Sequence, residues 1–336
     1  MNRIKIVVSI LAVFVQVQFG FGHAMNGKSL PTVTGDSFSF FVSGHFHGSS
    51  NNTTGHPAKT ITSNLQKINA DSSLFLIHLG DFFLDVKNDI PNYTSDILNP
   101  LRIPLYNAVG NHDLSSDVYQ KNYGATWFSM VVGRWKFIIL DTELNDGSIE
   151  GEQLDFLKSE LNLADSLHGV FLFAHRLIWA EEHPQLKDLF TDNTRGSHPS
   201  NYRKDILPLL EQLSATKKVC FMGGSMGNVP TSFFVHREGN IQYVATAIRD
   251  TPRDALLKVN IKGDQYQLES FPLAMSPEFY DLDYYAPHKV TKPAFNWRLV
   301  PLYTKQAIGH RYFWYGVICL LLPLVLIRFM FKRRKK

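Results

Sequence analysis

Cysteine is nearly absent. The 336 residues hold two, Cys220 in an apolar strand-like run and Cys319 in an apolar segment near the end, and residues so placed cannot pair within the chain. Disulfides therefore do not hold this protein together. A large excess of charge is missing too. Against 30 acidic residues stand 34 basic ones, a balance of +4, and the surplus sits at the two ends, so nothing in the body calls for nucleic acid as a partner. No internal repeat or low-complexity tract stands out.

The two ends carry the long apolar runs. Asn2-Arg3-Ile4-Lys5, the apolar stretch Ile6 to Val17 and the small-residue exit to Ala24 have the three parts of a secretory signal peptide, which predicts residues 1–24 as a cleaved leader. A second run begins at Tyr312 and ends at Phe331, with the basic tail Lys332-Arg333-Arg334-Lys335-Lys336 behind it. Roughly 20 such residues in a helix cross a bilayer, with Tyr312, Phe313, Trp314 and Tyr315 as an aromatic belt and Arg328 snorkelling to the other face. This predicts a single-pass type I membrane protein. Its parts are a domain at 25–272 outside the cytoplasm, a juxtamembrane segment at 273–310, a transmembrane helix at 311–331 and a cytoplasmic tail at 332–336. Sequons at Asn51-Asn52-Thr53-Thr54 and Asn92-Tyr93-Thr94 lie on the exported side.

Between these ends, roughly 250 residues suit one large α/β domain. Phe38 to Ser43, Leu74 to Leu79 and Ile103 to Val109 read as buried strands, with helices over Lys59 to Ala70 and Asn92 to Leu101 between them. Trp127 to Val132 and Trp135 to Asp141, split by Gly133-Arg134, read as a hairpin. Val170 to Ala174, a helix at Ile206 to Leu213, and strands at Lys218 to Met222, Ser232 to Val235, Ile241 to Ala245 and Ala255 to Ile261 complete the pattern. From Leu273 to His310 aromatics and prolines follow no period, as in a stalk or a segment packed over the domain.

Several of these strands end on metal-binding residue types. His45-Phe46-His47 follows the first, Gly80-Asp81 the second, Gly110-Asn111-His112-Asp113 the third, and His175 follows Ala174. These blocks resemble those of the calcineurin-like metallophosphoesterase superfamily. The segment from Tyr123 to Leu144 and the Glu152-Gln153-Leu154 helix resemble its purple-acid-phosphatase-like and cyclic-nucleotide-phosphodiesterase-like members. The resemblance implies a four-layer αββα sandwich of two mixed β-sheets. It implies divalent metal ions, one or two, with Mn, Fe and Zn all compatible, that clamp a phosphate and activate a water. His45, His47, Asp81, Asn111 and His175 would be metal ligands, Asp81 bridging. His112 would protonate the leaving oxygen, and Asp113 would hold the His112 tautomer. A phosphorylated small molecule, or a lipid or glycan phosphoester, would be the substrate.

Two departures weaken the match. His45 stands where the family has Asp, although His45, His47 and Asp81 still offer two imidazoles and a carboxylate to one metal. Where a GHxH block should follow Met222, the chain reads Gly223-Gly224-Ser225-Met226. Both family histidines are absent, and His78, His183, His198 or His236 would have to substitute. Two function classes stay open: a membrane-anchored metal-dependent phosphoesterase, or an inactive member of the fold that binds a ligand in the old cleft. On the first, Gly224→His, Met226→His and His45→Asp should restore the family's ligands.

Overall fold

Phenylalanines alternating across strands fix how the layers stack. The computed structural model describes residues 23–33, 35–114, 117–181, 183–184, 199–226, 232–273, 295–309 and 311–321. Within them, β1 (Ser37–Ser43), β2 (Leu76–His78) and β3 (Leu105–Asn107) form a parallel trio. β10 (Ala255–Lys262) and β11 (Gln265–Pro272) extend it antiparallel on the β1 side, in the order β11-β10-β1-β2-β3. The second sheet runs β4-β5-β6-β7-β9-β8. Here β5 (Trp135–Ile139), β6 (Gly169–Ala174), β7 (Lys218–Gly223) and β9 (Ile241–Thr246) are parallel, and β4 (Phe128–Val132) and β8 (Phe233–Glu238) are antiparallel edges.

Successive residues of a strand face opposite ways, so each sheet buries two different sets. Phe40, Val42, Phe75 and Ile77 meet Phe137, Ile139, Phe171, Phe173 and Met222 between the sheets. Phe40 stacks on Phe75 at 5.0 Å and meets the edges of Phe137 and Phe171 at 5.2 and 5.5 Å, favourable arrangements for aromatic quadrupoles. Their neighbours Phe41, Leu76 and Leu105 face outward onto α1 (Lys59–Thr62), α2 (Leu65–Ala70) and α3 (Val86–Tyr93). Ile138, Leu172 and Phe221 face α5 (Gly151–Glu160) and α6 (Leu207–Ser214), with α4 (Val118–Tyr123) lying on the first sheet's side. Four layers, αββα, result.

Local differences from the sequence expectations have local causes. The helix expected from Lys59 to Ala70 breaks at Ser63-Asn64, where the Asn64 amide donates to Thr60 O at 2.8 Å and competes with the backbone ladder. The helix expected from Asn92 begins earlier, at Val86, and ends in a π turn over Thr94–Leu98; Pro91 lies inside it. β11 was not anticipated. As an edge strand exposing Gln265, Gln267 and Glu269, it lacks a buried core signature.

The segments that flank the sheets are docked. Met25 N donates to Leu105 O at 2.7 Å and the Asn26 amide to Ile103 O at 2.9 Å, which covers the exposed edge of β3. At the other end, α7 (Val300–Gly309) packs on the domain instead of leaving it as a stalk. Leu299 and Leu302 bury against Leu84, Asn296 Nδ2 donates to Ser50 O and Asn52 O, and Arg298 pairs with the buried Asp89. Residues 311–321 are helical, and their aromatics and leucines are mostly exposed. Among the described residues no helix is long and apolar enough to cross a membrane. The leader up to residue 22 and the predicted span beyond residue 321 lie outside them.

Candidate metal centre

Strands β1, β2, β3, β6, β7 and β9 all deliver their carboxyl ends to one edge, where the loops are sharply turned. His45 and Asp81 sit at φ +58° and +55°, a region costly for residues with a Cβ. His45 is held there by its N–H to Gly80 O at 3.1 Å, and Asp81 Oδ1 accepts His112 N–H at 3.1 Å. Gly80, at φ +83°, is required twice: a Cβ there would lie 2.7 Å from Ala108 O and would strike the His175 ring.

These turns bring three imidazoles around one carboxylate oxygen. Asp81 Oδ2 lies 3.4 Å from His175 Nε2, 3.7 Å from His45 Nε2 and 3.9 Å from His47 Nε2. All four side chains are buried, and the Nε2 atoms of His45 and His175 and both ring nitrogens of His47 lack hydrogen-bond partners. Buried polar atoms without partners are costly unless something binds them. The donor atoms of His45, Asp81 and His175 fall within 4.8 Å of one another, a set able to hold a metal ion. His175 Nδ1–H donates to Leu79 O at 2.8 Å, which fixes the ring with Nε2 facing the carboxylate.

The electrostatics favour a cation at this point. Burial works to raise Asp81, but the His175 and His112 imidazoles hold it well below the usual carboxylate range. Burial works to lower His175, yet Asp81 pushes it up to about 9. Burial keeps His47 neutral by lowering it, and burial and the Arg249 charge lower His45 further. A cation bound here would displace the His175 proton, since an imidazole must be neutral to ligate.

The Gly110-Asn111-His112-Asp113 loop borders the cluster. The His112 ring lies 5.5 Å from that of His47, and its Nδ1–H donates to Leu84 O at 2.8 Å, so a backbone carbonyl sets the tautomer. Asp113 does not have the role expected of it. Its Oδ1 accepts Phe83 N–H at 3.0 Å, while Oδ2 accepts Gly110 N–H at 3.0 Å and Asn107 Nδ2 at 3.1 Å; it shapes the loop and does not hold His112. Asn111 is half-buried, and its carbonyl accepts from Gln306 of α7 at 3.1 Å. Tyr303, on the same helix, approaches His112 with 6.4 Å between ring centroids. Sequence reasoning did not bring Tyr303, Gln306 or Leu84 to this site.

The considered substitutes do not join the cluster. His78 accepts Phe46 N–H at Nε2 and donates from Nδ1 to Asn107 Oδ1 at 2.8 Å, a satisfied core histidine that burial pushes down to about 3. His183 and His236 meet each other at 4.8 Å and form a separate group with Glu238. His198 lies outside the described residues. Met226 is buried in the core between the second sheet and its helices. At Gly224 the chain is pressed onto β2's exit: a Cβ would run into Leu79 O and lie 2.6 Å from Leu79 Cβ. Arg249, just past β9, does reach the cluster, its Nη1 2.7 Å from His45 Nδ1. Its signal was the one that marked the other blocks, a polar residue just past an apolar strand.

Neither a scan of protein-family profiles nor a comparison with curated proteins finds a match. Solved structures do. A dimetal phosphatase from Danio rerio is 13% identical at a TM-score of 0.49, over 71% of this chain and 97% of that one. A purple acid phosphatase from yellow lupin seeds is 12% identical at 0.47, over 79% of this chain and 58% of its own length. Vacuolar protein sorting 29 from Cryptosporidium parvum is 10% identical at 0.34, over 71% and 100%.

Proposed function

We propose that this protein is a metal-dependent phosphoesterase, held at a membrane by the helix beginning near residue 311 and acting outside the cytoplasm on a phosphomonoester or phosphodiester. The observation that carries the catalytic part is the buried ring of His45, His47 and His175 nitrogens around Asp81 Oδ2. A divalent cation bound there supplies Lewis-acid polarisation of a phosphoryl oxygen and activation of water. The protein's own residues do the rest. Asp81 and the imidazoles fix the position of the charge, and His112, with Nδ1–H committed to Leu84 O, has Nε2 left to hand a proton to the leaving oxygen.

Hydrolysis of an aryl phosphate and a bis-aryl phosphate by the purified protein, with Mn, Fe or Zn added, tests this reading. His112→Ala should lower turnover by roughly 100- to 10,000-fold, the usual range for a general acid, with metal content unchanged. Parallel loss of metal and rate would make His112 structural. A second reading, a binding protein without turnover, is favoured by the closed backbone at Gly224 and the arginine beside His45. Substrate binding without turnover at any metal concentration would select it.

The membrane part rests on the apolar run from Tyr312 to Phe331 and the basic tail behind it. A chain ending before Arg311 keeps α7 and its contacts, so it should fold and be released into the soluble fraction. Retention of that shortened chain in the membrane after removal of the leader would refute the topology.

A further inference from the structure

We infer that His183, His236 and Glu238 form a second metal site, separate from the buried centre, which takes a zinc ion and ties the edge strand β8 to the segment that leaves β6. The site goes beyond the phosphoesterase reading and does not depend on it.

The register of the second sheet builds two thirds of the site. β8 pairs antiparallel with β9, His236 standing opposite Tyr243 and Glu238 opposite Ile241. Residues two apart on a strand share a face, so the His236 imidazole and the Glu238 carboxylate stand side by side, on the face where Tyr243 and Ile241 join the outer core. The third residue comes from the chain beyond β6. Ala180 N–H donates to Leu177 O at 2.8 Å and His183 N–H to Ala180 O at 3.3 Å, successive turns that curl this segment over the sheet. Trp179 stacks on Tyr243 with ring centroids 5.0 Å apart, and the His236 ring lies nearly parallel to that of Tyr243 at 6.3 Å. His183 then meets His236 with 4.8 Å between ring centroids. One donor atom from each of His183, His236 and Glu238 lies within 4.8 Å of the other two.

The donor set selects the ion. Two imidazoles and a carboxylate suit zinc, with a fourth position left for water. His236 Nε2 is buried and meets no hydrogen-bond partner among the described residues, a costly state that a bound cation relieves. Burial lowers both imidazoles, helped at His183 by the Arg203 charge and at His236 by His183, and opposed at both by Glu238. Both rings are therefore neutral near pH 7, the form that ligates.

Arg203 also sets the strength of the site. Its positive charge works against a cation, and His236 and Glu238 are only half-buried. The site is thus weaker than the centre at Asp81, one that dialysis empties and added zinc refills. β8 is the edge of its sheet. A zinc ion bound here links that edge to the chain beyond β6, and a ligand that binds only the folded state stabilises it.

The test uses the full chain carrying Asp81→Asn, which disables the buried centre, dialysed free of metal and titrated with zinc by calorimetry while Tm is followed. One equivalent should bind, and zinc at about a hundredfold excess over its Kd should raise Tm by roughly 5 °C or more. Adding His236→Gln or His183→Gln should weaken zinc binding about tenfold or more, since even partners that only orient a ligand are worth 10- to 100-fold. The Tm rise should vanish with it, while the metal-free Tm stays that of the parent. Should His236→Gln fail to fold, His183→Gln decides, because His183 lies outside the sheet. No zinc bound at millimolar concentration, or a stoichiometry and affinity that the substitutions leave unchanged, overturns the inference.

Discussion

Asp81→Asn should strip the protein of its metal. The substitution keeps the shape of the side chain, and asparagine tolerates the left-handed backbone that Asp81 adopts at φ +55°, so the loop should hold. The amide oxygen can still accept His112 N–H as Oδ1 does now. What disappears is the charge around which His45, His47 and His175 are gathered within 3.4 to 3.9 Å. Two or three neutral imidazoles hold a divalent cation far less well than the same set with a carboxylate. Altering partners that merely orient ligands already costs 10- to 100-fold in affinity, and a direct anionic ligand should cost about 100-fold or more. Elemental analysis after dialysis should find background metal in the variant. Metal content equal to wild type would place the centre elsewhere.

Gly224→His should unfold the site it was meant to rebuild. By sequence alone, histidines at 224 and 226 complete the family's ligand set. In the structure a Cβ at 224 runs into Leu79 O, the acceptor that orients His175, and lies 2.6 Å from Leu79 Cβ. Backbone cannot move aside as a side chain tip can. The substitution should therefore cost on the order of 3 kcal/mol, the upper range for overpacking, and lower Tm by roughly 5 to 10 °C. Met226→His adds a second cost by placing an imidazole in an apolar core. Thermal melting with metal content measured alongside decides it. A variant as stable as wild type that binds more metal would show that this loop opens readily and that the closed backbone is no barrier.

The layers and the site were legible to different depths. Strands buried on both faces, such as Phe171 to Ala174 and Val219 to Met222, announce themselves as apolar runs, and the ligand-type residues that end them could be found by position. β11 could not, because Gln265, Gln267 and Glu269 face water and none of its side chains is fully buried. Nor could the pairing of residues across the cluster. Asp113 follows His112 in the chain, a position from which it is expected to orient the ring, yet the turn sends its carboxylate to the Phe83 and Gly110 N–H groups and leaves His112 to Leu84 O. Arg249 is 204 positions from His45. Only the parallel β7-β9 pairing and the tie from Ile248 to Gly44 bring it there.

The fastening of α7 bears on the cleft from a distance. Asn296 is tied to the loop at Ser50 and Asn52, Arg298 to Asp89, and Gln306 to Asn111, so three separated points hold α7 and the turn before it to the domain. The Tyr303 ring therefore keeps its place beside His112 through contacts made elsewhere on the domain.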